Sequence, residues 1–97
     1  MKLAAHEFEK KVRSNLKTAG ELREACDLFG QVAYGIEHSR MKDIQGSDGC
    51  GVLAYATAVG QTLVMLGLGN EDFIIVKRDA AVELLQGLAL CCLYRSK

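Results

Sequence analysis

The side chains best suited to chemistry in this 97-residue sequence are four cysteines and two histidines. Cys50 stands in the run Gly46-Ser47-Asp48-Gly49-Cys50-Gly51, just ahead of a long uncharged stretch. A thiol at the start of a helix is drawn toward thiolate by unpaired amides and the helix dipole. His38 lies twelve residues upstream, so a cysteine-based enzyme or redox sensor using Cys50 is one chemistry the segment supports. The competing reading is that Ser47 or Asp48 caps a helix, the glycines make a turn and Cys50 is incidental. A nucleophile needs an oriented base and nothing in the sequence fixes one, so the expectation is a non-enzymatic protein without catalytic residues.

Metal and phosphate chemistry fare no better. Cys26, Cys50, Cys91 and Cys92 contain no Cys-x-x-Cys pair, and His6 and His38 match no zinc spacing. The glycines are not in the order of a phosphate loop, since no Gly-x-Gly-x-x-Gly run and no Gly-Lys-Ser/Thr ending occurs. No metal and no cofactor are therefore expected. Twelve basic and twelve acidic residues cancel, which removes the general attraction to phosphates shown by nucleic-acid binders. A helix-turn-helix laid over Thr62 to Val76 would lead with Asn70, Glu71 and Asp72, and its acids would repel DNA. Near the start, Glu7, Glu9, Lys10 and Lys11 interrupt any secretory apolar run, so the expected compartment is cytoplasmic, with reduced thiols.

Positioning elements follow from apolar spacing. One domain, residues 1–97, is expected from the length, with 49% apolar residues to build a core. Ala5, Phe8, Val12 and Leu16 share one face of a helix over 3–17. Thr18 and Glu21 match a capping box that opens a second helix, 19–41, with Leu22, Ala25, Cys26, Phe29, Val32, Ala33 and Ile36 on one side. Residues 42–51 read as a loop, because three glycines there cost a helix about 1 kcal/mol each. Helices over 52–68 and 71–94 complete an all-α, four-helix, bundle-like domain. The minor alternative is an α+β fold with a short hairpin around 63–76. There Leu63-Val64-Met65-Leu66 faces the β-branched run Phe73-Ile74-Ile75-Val76. Helix is preferred because a lone two-stranded hairpin is marginal and no third strand stands out.

Charge is concentrated toward the start. Residues 1–48 hold 16 of the 24 charged side chains, and 49–70 hold none. The third and fourth helices therefore lack a polar face, and one chain of this size has little with which to cover them. Exposed leucines and isoleucines would drive association, each worth roughly 1.5–3 kcal/mol when fully buried. The sequence thus predicts a protein–protein interaction module: a homodimer sharing the last two helices, or a small adaptor or chaperone-like protein covering another chain's apolar segment. Phe73, Ile74, Leu84, Leu88 and Leu93 are the expected partner-binding residues, acting as helix-in-groove anchors. A small integral membrane protein with one span at 49–70 is the further alternative. Gln61 near its middle and the absence of basic flanks argue against it.

Overall fold

Where the sequence separates an apolar stripe from a charged face, helices form. The computed structural model describes residues 1–38, 44–45, 55–60, 62–68 and 71–96. Helix α1 (Ala5–Asn15) buries Phe8 and Val12, and α2 (Ala19–Glu37) buries seven residues from Leu22 to Ile36. Both lie within the expected spans. The Thr18 hydroxyl accepts from the Glu21 backbone amide at 3.1 Å, and the Glu21 carboxylate accepts from the Thr18 amide at 3.1 Å. These reciprocal bonds satisfy two donors that a helix start leaves open. In α1 only half of such a box exists, because Ala4 has no hydroxyl. There the Glu7 carboxylate accepts from the Ala4 amide at 3.1 Å.

Beyond α2 the architecture departs from the helical expectation. Strands β1 (Ile44–Gln45), β2 (Tyr55–Val59), β3 (Leu63–Gly67) and β4 (Phe73–Lys77) form one antiparallel sheet in that order, and α3 (Arg78–Arg95) follows β4 directly. The fold is α+β, not an all-α helical bundle. The helix expected over 52–68 is replaced, in its described part, by β2 and β3. The helix expected over 71–94 begins only at Arg78. A hairpin around 63–76 is the arrangement adopted, with Val64 opposite Val76, Met65 opposite Ile75 and Leu66 opposite Ile74. The objection to it was the missing third strand, and β2 supplies that strand: Thr57 pairs with Met65 and Ala56 with Leu66. The possible span at 49–70 fails likewise, since 55–59 and 63–67 are strands. Among the described residues no helix is long and apolar enough to cross a membrane.

Alternation across the sheet places Ala56, Val64, Leu66 and Ile74 on one face, all fully buried. They join Phe8, Val12 and Leu16 from the α1 region, the stripe of α2, and Ala81, Leu85, Leu88 and Cys92 of α3 in a single core. Helices α2 and α3 run antiparallel. At one end Arg78 Nη2 donates to the Ile36 carbonyl at 2.9 Å, and at the other Arg95 Nη2 donates to the Leu16 carbonyl at 3.3 Å. The two terminal arginines of α3 thus sit against the negative C-terminal ends of α2 and α1, where a cation is favoured.

The free side of β4 is partly closed by the start of the chain. The Leu3 amide donates to the Phe73 carbonyl at 2.7 Å and the Phe73 amide to the Met1 carbonyl at 3.0 Å, so residues 1–3 lie parallel to β4. Asp72, the buried charged residue at the head of β4, accepts an ion-paired hydrogen bond from Lys11 Nζ and lies 3.6 Å from the Met1 ammonium. These bonds tie α1 and the chain start to the strand.

Candidate interaction surface

On α3 the buried positions Ala81, Leu85, Leu88 and Cys92 recur at helical spacing and face α2 and the sheet. The opposite side is Glu83, Gln86, Gly87, Leu90, Leu93 and Tyr94, all exposed. Their spacing of three, one, three, three and one makes a continuous stripe along the helix. Its first half is polar. Its second half is not: Leu90 is 56% exposed, Leu93 44% and Tyr94 72%. Three large side chains on adjacent turns form a contiguous apolar patch, unlike the scattered apolar exposure normal for any surface.

A cleft of about 560 Å³ opens at the polar end of the same stripe. Ile36 and Val82 contribute apolar walls, and Glu37, Asp79 and Glu83 outnumber Arg78, so the lining is acidic on balance. The outward face of the sheet is a second partly apolar surface. Val59 and Leu63, opposite each other across β2 and β3, are 39% and 38% exposed, and Met65, Phe73 and Ile75 beside them are half-buried.

The expected partner-binding residues fall in different environments. Ile74 is on the inward face of β4 with no exposed surface, and Leu88 lies in the seam with α2. Leu84 is half-buried against the core. Phe73 is half-buried on the outward face of β4, with its backbone bonded to residues 1–3. Leu93 stands exposed within the stripe. The fold does not bring the five onto one surface. Leu90 and Tyr94, which accompany Leu93, escaped the sequence reading. The signal for them was helical spacing from Gln86 and Gly87, four and three residues to Leu90 and eight and seven to Tyr94, obscured by the buried Leu88 and Cys92 between them.

Cys50 and its glycine run lie outside the described residues. Cys26, Cys91 and Cys92 are present as thiols. His6 and His38 are exposed, with the His38 ring 4.1 Å from that of Tyr34. Among the described residues no group of three or more His, Cys, Asp or Glu side chains could hold a metal ion. Hydrogen bonds from Thr18, led by its backbone amide, hold the Glu21 carboxyl below the usual glutamate value, a feature of the helix cap and not of a catalytic group. Comparison of the chain with protein-family models, curated proteins and solved structures finds no match.

Proposed function

We propose that this protein is a non-enzymatic protein–protein interaction module, a homo-oligomeric adaptor or a small chaperone-like protein that buries apolar surface against a second copy or another protein. The observation that carries this reading is the second half of α3, where Leu90, Leu93 and Tyr94 face outward together while the opposite side of the helix is packed. Apolar area left in water favours any contact that removes it, at about 25 cal/mol per Å². Val59 and Leu63 on the sheet offer a further surface for an adaptor's second contact. Balanced charge favours a protein over a nucleic-acid partner. The reading places the protein in the cytoplasm, where thiols such as Cys26, Cys91 and Cys92 persist.

Size exclusion coupled to light scattering tests it. The expected result is a species heavier than one chain, or a monomer converted to a heavier species by a protein partner expressed with it. A chain that stays monomeric and takes up no apolar protein segment contradicts the proposal.

A further inference from the structure

We propose that the exposed stripe of α3 is the interface of a symmetric dimer, two copies of α3 packing antiparallel with the two-fold axis beside Leu90. This rests on the reading of the chain as a protein-interaction module and names its occupant as a second copy. A two-fold axis perpendicular to a helix places residues equally spaced before and after it opposite one another. Three residues after Leu90 comes Leu93, and three before it comes Gly87; four after comes Tyr94, and four before comes Gln86. The dimer therefore sets each Leu93 against Gly87 of the partner subunit, a large side chain over a position with no side chain. It sets each Tyr94 against Gln86 of the partner subunit. Leu90 meets its own copy at the centre.

Cavity and charge agree with that pairing. Gln86 also lines the cleft beside Ile36 and Val82, so an incoming phenol ring finds apolar walls and acidic acceptors for its hydroxyl. An added Cβ at Gly87 would meet nothing within 4 Å, so space for the partner is present there in the single chain. The charges at the beginning of α3 balance, Lys77 and Arg78 against Asp79 and Glu83, with Glu83 the charged member of the exposed stripe, whereas the helix from Leu84 onward contains no acid and ends in Arg95. Antiparallel packing brings each Glu83 toward the other copy's Arg95, while parallel packing would set the two Arg95 side chains together. Two or three turns of helix bury less than the roughly 1,200 Å² of a standard interface, so the dimer exchanges readily with monomer.

Sedimentation velocity of the full chain over a wide concentration range tests this. The wild type should pass from monomer to dimer. Gly87→Leu should weaken the dimer at least tenfold while its thermal unfolding stays as cooperative as before, because the new side chain enters open space in the monomer and suits a helix better than glycine. Leu90→Glu, which places two carboxylates on the axis, should abolish the dimer. Val59→Lys with Leu63→Lys, on the outward sheet face, should leave it intact. A dimer that survives Gly87→Leu and Leu90→Glu overturns this interface but leaves the self-associating module standing. A wild type monomeric at every concentration overturns the interface too. The module reading falls with it only if a fluorescein-labelled leucine/lysine amphipathic helix also fails to bind.

Discussion

Helices α2 and α3, 19 and 18 residues long, lie antiparallel against each other and both supply buried side chains to one seam. Their outer sides differ. α2 turns Arg23, Glu24, Asp27 and Gln31 to water beside one exposed aromatic, Tyr34, and α3 turns Gly87, Leu90, Leu93 and Tyr94. Both helices are fixed by a single buried stripe, so the remaining side of each is released from any folding duty. On α2 that freedom is used for solubility. On α3 it leaves apolar surface that no described part of the chain covers, and the proposed binding role rests on that difference.

Substitutions across the seam give the largest expected effect, and they should treat the two helices alike. Phe29→Ala in α2 and Leu85→Ala in α3 each remove a side chain with no exposed surface. Each should cost about 2–5 kcal/mol in urea unfolding, the range for large-to-small changes in a core. Leu90→Ala, five residues from Leu85, should change the stability of the dilute monomer by no more than about 0.5 kcal/mol. A large loss at Leu90 would mean that the outer side of α3 is packed within one chain.

Next in size is the tie between α1 and β4. Asp72→Asn removes the charge that Lys11 and the Met1 ammonium face, and it should cost about 1.5–3 kcal/mol, the range for hydrogen bonds to charged groups. Amide exchange would show the loosening in residues 1–15 before it reaches the α2–α3 seam.

Smaller effects separate the starts and middles of the two helices. Thr18→Ala should cost about 1 kcal/mol by removing the α2 cap. Lys77, in the same position before α3, makes no side-chain capping bond, so Lys77→Ala should cost less. The same cap carries a pH dependence. Because the Glu21 carboxyl is held below its usual value in the folded chain, its contribution is complete above that usual value and is lost as pH falls through the lowered one. Glu21→Gln should flatten the acid limb of the stability curve, lying below the wild type at neutral pH and converging with it in acid. Smallest is Gly30→Ala on the exposed side of α2, where a Cβ meets nothing. It should stabilise by about 0.5–1 kcal/mol through helix propensity and leave association untouched, unlike bulk added at Gly87.

The first two helices were legible because their apolar and charged residues separate cleanly at helical spacing and Thr18 with Glu21 marks a start. The sheet was not. Alternation identifies a strand only when its two faces differ in polarity. In β3 the inward Val64 and Leu66 alternate with outward Leu63 and Met65, so the run is apolar throughout and fits a buried helix equally well. In β2 the inward residue Ala56 is a good helix former, which hid the strand that makes the hairpin viable. The start of α3 was obscured because β4 passes into it without a loop, between Lys77 and Arg78. One physical cause underlies both the difficulty of the sheet segment and the exposed apolar stripe of α3. Apolar side chains occur on outward faces where a solitary domain would carry polar ones, so patterns that assume water on one side fail. The expected anchors Ile74 and Leu88 show the converse, since apolar character alone does not tell a core residue from a contact residue.

The most direct test is methyl-group NMR of the leucines with a soluble paramagnetic agent, at low and at high protein concentration. Leu90 and Leu93 should broaden strongly in dilute protein and become shielded as concentration rises, while Leu85 and Leu88 stay shielded throughout. Equal shielding of all four leucines at the lowest concentration, or unchanged broadening of Leu90 and Leu93 at the highest, would contradict the assignment of α3's outer side to self-association.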